Sequence, residues 1–181
     1  MTEVNLFASL KRRRQRRDTA LAVYNAIVAR AREPDLFAAW SVPDTLDGRF
    51  ELLALHAFLV MNRLKREPSA REFAQTLFDI MFADLDRAVR EMGSTDTGVG
   101  KRVKAMARGF YGRIAAYGRG LADPAELAPA LRRNLYGTVS PREEDVAAAG
   151  EYLHRQAAAL AEQPASSLMA GFVRFAPMEM S

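Results

Sequence analysis

The sequence predicts an all-α chain, a single-domain bundle of about six to seven helices around a buried central helix. Three observations predict it. From Arg49 to Met61 nearly every position is apolar, and a helix without a polar face has to be enclosed by other elements. On either side of that run, apolar residues recur at steps of three and four. No stretch alternates apolar and polar residues long enough to make a strand. A chain of 181 residues has the size of one domain and can bury a sizeable core.

Taken in order, VNLFASL (4–10) and KRRRQRR (11–17) form a basic amphipathic arm, residues 1–17. Asp18 is the expected N-cap of a first long helix, in which Leu21, Tyr24, Ile27, Val28 and Ala31 repeat at helical spacing until Pro34. Leu36, Phe37 and Trp40 make a brief aromatic turn. Pro43-Asp44 and Asp47-Gly48 are turn signals, and Asp47 is placed to cap the central helix, residues 49–66. Crossing a bilayer takes about 20 predominantly apolar residues, and Glu51 and His56 interrupt this run, so it reads as a core helix. Phe50, Leu53, Ala57, Met61 and Leu64 form its apolar stripe, while Arg49, His56 and Arg63 mark a more polar side.

Pro68-Ser69 opens the next helix, with Gly93 as its stop and Phe78, Met81, Phe82, Leu85 and Val89 as its core face. Asp79, Asp86 and Arg90 share the adjacent stripe. In the following helix, Val99, Val103, Met106, Phe110 and Tyr117 face inward, Lys101, Lys104, Arg108 and Arg119 face away, and Arg102 and Arg113 flank the buried face. Asp123-Pro124 caps a short helix that Gly137 stops. The last long helix runs from about Ser140-Pro141 to Gln163 with Val146, Leu153, Ala157 and Leu160 inside. The helical domain is then 18–163, followed by a Met- and Phe-containing tail, 164–181, which either exposes its apolar residues or lies on the bundle.

The absence of cysteine excludes a disulfide framework, a thiolate nucleophile and a cysteine-ligated metal. No secretory h-region precedes the basic run. The net charge of +4 is unevenly spread, because Lys11–Arg17 holds six cations and no acid. Such a run suits an anionic partner, phospholipid or nucleic acid. Leu6 and Phe7 add apolar insertion, so Leu6, Phe7, Lys11, Arg12, Arg13, Arg14, Arg16 and Arg17 are the candidate membrane contacts. Ribosome contact is a further reading of the same run, and a solvated arm is the plain one.

Asp79, Asp84 and Asp86 lack the paired DDxxD arrangement of an isoprenoid synthase. Asp79, Asp86, Arg90, Arg102 and Arg113 are expected instead to form an ion-pair network, with Arg49 as another partner, since partly buried charges persist when paired. Glu151 and His154 have the ExxH spacing of a di-iron bundle, but that chemistry needs a second ExxH, and Leu53 stands where His56 would require its glutamate. His56 reads first as a satisfied core histidine. No catalytic triad, Walker loop or GxGxxG is present. No cofactor or metal is expected.

The longer motifs are more specific. VPDTLDGRFELLALHAFLVMNRL, LFDIMFADLDRAVREMG, VGKRVKAMARGFYGR with AAYGRGL, and LAPALRRNLYG follow one another in order. Over about Tyr24 to Tyr136 they resemble the ubiquinol–cytochrome c chaperone family, assembly factors of the cytochrome bc1 complex. The resemblance implies a non-catalytic chaperone, here a bacterial member, that binds newly made cytochrome b and promotes its entry into the complex. In mitochondria a small partner protein acts alongside. The implied location is the bacterial cytoplasm, peripheral to the inner membrane, with no specific nucleic acid as ligand. Arg49, His56, Lys101, Lys104 and Arg108 are the expected client-binding residues. The competing class is a helical enzyme acting on an isoprenoid or lipid-like substrate, with Asp79 and Asp86 facing a greasy interior.

Overall fold

The structure, a computed structural model, describes residues 2–91 and 96–178, and within them the side chains other than those at 2–6, 96, 97 and 102. Among the described residues the chain forms eight α-helices and one 3-10 turn, Pro68–Ala70, with no strand. The helices are α1 (Thr2–Ala31), α2 (Pro34–Ala39), α3 (Leu46–Leu64), α4 (Arg71–Glu91), α5 (Asp96–Ala122), α6 (Pro124–Asn134), α7 (Glu143–Ala161) and α8 (Ala165–Met169). The expected stop at Gly93 lies outside the described residues.

α3 is the enclosed helix. Leu52, Ala54, Leu55, Ala57, Phe58, Leu59, Val60 and Leu64 are all buried, and α1, α4, α5 and α7 pack around it. The expected stripe is rotated: Ala57 and Leu64 are core, whereas Phe50, Leu53 and Met61 are its half-buried edge. The cap is Thr45 rather than Asp47. Its backbone is extended (φ −112°, ψ 170°) and its hydroxyl accepts from the Gly48 N–H at 3.2 Å. The helix begins one turn before the apolar run because Gly48 lets it close on the preceding strand of chain. A Cβ on Gly48 would stand 2.0 Å from the Pro43 carbonyl oxygen. Asp47 falls in the first turn, where a carboxylate favours the positive end of the helix dipole.

α1 is continuous over 30 residues, and Asp18 does not begin it. Lys, Arg and Gln are good helix formers, so the basic run simply prolongs the helix beyond the bundle. Ala20, Val23, Tyr24, Ile27 and Ala31 are its buried face, whereas Leu21, expected inside, is exposed. Arg16 pairs with Glu72, and the Tyr24 hydroxyl donates to Asp84 at 2.7 Å, so α1 and α4 run in the same direction. On α4 the buried positions are Phe73, Leu77, Met81, Leu85 and Val89, with Phe78 and Phe82 half-buried beside them. On α5, Val99, Phe110 and Tyr117 are buried as expected. Asp123 caps α6, accepting from the Ala125 N–H at 3.0 Å.

The segment after α8 returns along α7 in an extended conformation. Gly171 makes the turn at φ +96°, a backbone region that favours glycine. Two buried glutamines, Gln156 of α7 and Gln163 just beyond its end, then hold the segment by its backbone. Gln163 accepts from the Arg174 N–H at 2.9 Å and donates to its carbonyl at 2.7 Å. Gln156 does the same for Ala176, at 2.7 and 2.9 Å. Both readings of the tail hold in part: Val173, Phe175 and Met178 pack on the bundle, whereas Phe172 is 71% exposed.

The buried ion pair is not the one expected. Arg113 donates through Nε to Glu51 Oε2 at 2.6 Å and through Nη2 to Oε1, while its guanidinium lies over the Phe50 ring at 5.2 Å. Desolvation raises the Glu51 carboxyl pKa, and the guanidinium opposite works against that rise. Asp79 is exposed and accepts from Gln75 at 2.8 Å; Asp86 pairs with Arg90 of its own helix at 2.7 Å. Arg49 pairs with Asp44 at 2.6 Å on the surface. The Arg102 side chain lies outside the described residues. Among the described residues, Asp86 and Arg90 of the expected network pair with each other, and Arg113 pairs with Glu51 instead. Glu51→Ala, which strands a partly buried guanidinium, should cost about 3–5 kcal/mol in urea unfolding, whereas Asp79→Ala should stay within about 0.5 kcal/mol. Equal losses in the two variants would contradict this assignment.

Candidate interaction surfaces

His56 sits at 0% exposure, at the point where α3, α7, α1 and the C-terminal segment meet. Its Nδ1 lies 2.7 Å from the Leu52 carbonyl, an acceptor, so Nδ1 carries the proton and donates. Nε2 then accepts from the Tyr152 hydroxyl at 2.7 Å. That hydroxyl in turn accepts from Arg30 Nε at 2.8 Å, and Arg30 also reaches Glu33 and the Ala176 carbonyl. The Phe175 ring stands edge-on to the imidazole at 5.5 Å. Every polar atom of the imidazole has its partner within the fold. His56 is the core histidine and has no surface to offer a client, because burial along an apolar helix wins over its position in the stripe with Arg49 and Arg63.

Burial pushes the His56 pKa down to about 4. A folded value below the unfolded one means its contribution is complete above about pH 6.5 and is lost as pH falls toward 4. The loss is on the order of 3 kcal/mol. His56→Gln should flatten the fall of thermal stability between pH 6.5 and 4; an unchanged slope would show that the acid sensitivity comes from elsewhere.

Arg49 lines a different region. Between α1, α3, α4 and α5 lies a cavity of about 330 Å³ walled by Tyr24, Val28, Phe50, Leu53, Val89 and Met106. Arg32 and Arg49 line both it and a more open hollow of about 710 Å³ against Pro34, Phe37 and Ala38. Asp84 also borders the cavity, but its carboxylate is taken by Tyr24 and Arg87. Asp79 and Asp86 line neither space, so the acidic stripe does not face a greasy interior.

Two basic surfaces remain. On α5, Lys101, Lys104 and Arg108 are exposed on one stripe and make no ion pair among the described residues. On α1, Phe7 and Leu10 are 71% and 54% exposed, ahead of the exposed Lys11, Arg12, Arg13, Arg14 and Arg17. Arg16 is partly committed to Glu72, and the Leu6 side chain lies outside the described residues. Glu151 and His154 both point to solvent, and no group of three or more His, Cys, Asp or Glu with metal-binding proximity exists among the described residues. Among those residues, no helix is long and apolar enough to cross a membrane.

Fold and surfaces together define a class: a helical bundle whose exterior offers arginine-rimmed apolar hollows and two cationic faces. Comparison with known proteins is specific. Residues 38–175 match the ubiquinol-cytochrome C chaperone family. Ubiquinol-cytochrome-c reductase complex assembly factor 1 of Xenopus laevis is 28% identical over 139 residues, which cover 76% of this chain and 70% of that protein. Its Mus musculus counterpart is 26% identical over 162 residues, 88% of this chain and 55% of the relative. The crystal structure of the Cbp3 homolog from Brucella abortus superposes with a TM-score of 0.82 at 37% identity, over 95% of this chain and 97% of that one. The chain belongs to the ubiquinol–cytochrome c chaperone family.

Proposed function

We propose that this protein is a non-catalytic chaperone that binds newly made cytochrome b and promotes its assembly into the cytochrome bc1 complex. The observation that carries the reading is the family match, which runs from the end of α2 to the C-terminal segment and so takes in α3 with α4, α5 and α7 around it. The surface chemistry agrees with a binding role. Arg49 beside an apolar hollow, and Lys101, Lys104 and Arg108 on α5, can meet acidic and lipid-proximal parts of a client. Ion pairing by Asp84, Asp86 and Glu51 leaves the alternative, an enzyme for isoprenoid or lipid-like substrates, without a free carboxylate pair at a cavity. A small partner protein or the ribosome can share the task.

Deleting the gene should leave cytochrome b message in place while assembled complex and its haem b signal fall, with other respiratory complexes preserved. Normal bc1 content and ubiquinol oxidation in such a strain, with no related chaperone present, would sink the proposal.

The exposed apolar and basic side chains of the α1 overhang support reversible attachment to the cytoplasmic face of the inner membrane. Phe7 and Leu10 provide insertion, and each basic residue near an anionic surface adds about 1 kcal/mol. Raising salt from 0.1 M to 1 M shortens the screening length from about 10 Å to about 3 Å. The protein should accordingly leave anionic vesicles at high salt. Equal binding to neutral and anionic vesicles at every salt concentration would refute the electrostatic attachment.

A further inference from the structure

Away from the Arg49 hollow, α3, α4 and α5 enclose a groove of about 480 Å³ whose floor includes Met61, Phe78 and Ile114. Tyr111 forms one wall. It is 58% exposed, yet its ring stacks on Phe78 with centroids 5.4 Å apart and planes 30° apart. Phe78 in turn contacts Phe82 and the fully buried Phe110. Tyr111 is thus a large aromatic held rigid by the core while most of its surface remains open, the kind of residue that dominates binding energy in protein interfaces.

The charges around it are mostly positive, with Glu67 the one acid among the described lining residues. Lys104, Arg108 and Tyr111 follow one another at steps of four and three, so they share a stripe of α5, with Lys101 one turn further back. Lys65 and Arg71 stand at the other side of the groove. All five cations are exposed, and none has an ion pair among the described residues. The nearby carboxylates are engaged: Glu67 accepts from Ser69, Glu72 pairs with Arg16, and Asp79 accepts from Gln75.

We propose that this groove and the basic stripe form one docking surface for an amphipathic helix of a partner protein, apolar on the face that enters the groove and acidic on its flank. The proposal rests on the chaperone reading above and names where the client is held. Two features favour a helix. The walls are helices whose backbone groups are already bonded internally, so there is no sheet edge for an extended peptide to join. The stripe from Lys101 to Tyr111 is about 15 Å long, which matches the i, i+4, i+7 anchors of a helix laid along it. The apolar floor offers no donors or acceptors to read a nucleotide base, which disfavours RNA despite the positive charge.

The test uses the full chain and a fluorescein-labelled synthetic amphipathic helix of about five turns, with leucine and phenylalanine on one face and glutamate on its flank, followed by anisotropy. Tyr111→Ala and the pair Lys104→Glu/Arg108→Glu should each weaken binding by roughly tenfold or more. A peptide with glutamine in place of glutamate should be weaker to a similar degree, and salt should weaken the acidic peptide. A lysine-flanked peptide should regain binding to Lys104→Glu/Arg108→Glu, a rescue that a misfolded variant cannot give. Unchanged binding in either variant, or equal binding of the glutamine peptide, overturns the proposal. So does stoichiometric displacement of the peptide by single-stranded RNA or anionic vesicles, if both variants lose those ligands too. In a deletion strain, a folded charge-reversal variant that fully restores bc1 content overturns the docking surface alone. Failure of the unaltered gene to restore it overturns the chaperone reading.

Discussion

The structure depends on keeping α3 dry. A helix that is apolar on nearly every side has no face to give to water, and the other elements are arranged to supply its walls. α1 and α4, running in the same direction, close one side; α5 and α7 close the others. Two polar groups of α3 itself intrude on this interior and are answered within it, whereas the buried Tyr117 hydroxyl beside Phe58 has no hydrogen-bond partner among the described residues. Glu51 meets Arg113, and His56 meets the Leu52 carbonyl and Tyr152. A buried group without its partner forfeits its hydration for nothing, so these contacts fix the register of the surrounding helices. The division of charge follows. The Glu51–Arg113 pair lies inward and other pairs lie at the surface within and between elements, while Lys101, Lys104 and Arg108 face outward without an ion pair among the described residues. That division suits a molecule whose interior is fixed and whose exterior makes the contacts.

Much of this was legible in the sequence, because burial is written in composition and period. The run Leu52–Val60 names the enclosed helix, the 3.6-residue pattern names the buried faces of α4 and α5, and Asp123-Pro124 marks the start of α6. Pairings across elements were less legible. Spacing places Asp79 and Asp86 on one face of α4 but says nothing of what stands opposite, and the structure leaves Asp79 in solvent beside Gln75. The informative charge was Glu51, a carboxylate inside the most apolar stretch of the chain, which had to find a cation; Arg113 on the flank of the buried stripe of α5 was the available one. Gln156 on the inward side of α7 and Gln163 just past its end, seven apart, carried a similar signal: buried amides need partners. Asp18 misled because a good capping residue does not stop a helix when its neighbours are good helix formers.

The exterior divides into regions with different chemistry. The hollow at Arg32 and Arg49 is apolar with a cationic border, the α1 overhang is a greasy tip ahead of a basic shaft, and the α5 stripe leads into an aromatic groove. An unfinished membrane protein presents corresponding features: apolar helices, charged loops and the bilayer around them. The three regions share α1, α3 and α5, but exposed side chains of each, Phe7, Arg49 and Lys104 among them, can be altered without touching the contacts that keep α3 enclosed.

The C-terminal segment adds a constraint of timing. Arg30 and His56 lie in the first third of the chain, yet the groups that complete their surroundings, the Ala176 carbonyl and the Phe175 ring, come more than a hundred residues later. A chain emerging from its amino terminus can gather α1, α3 and α7 before those residues exist, but the centre of the bundle stays unsealed until they arrive. A late stretch of the chain is therefore the latch of an early one. Because Gln156 and Gln163 grip backbone rather than side chains, that latch reads distance along the chain more than the identity of what lies there. A lost or added residue between Gly171 and Ala176 would put the wrong peptide groups in their grasp, while many substitutions at Arg174 would pass unnoticed.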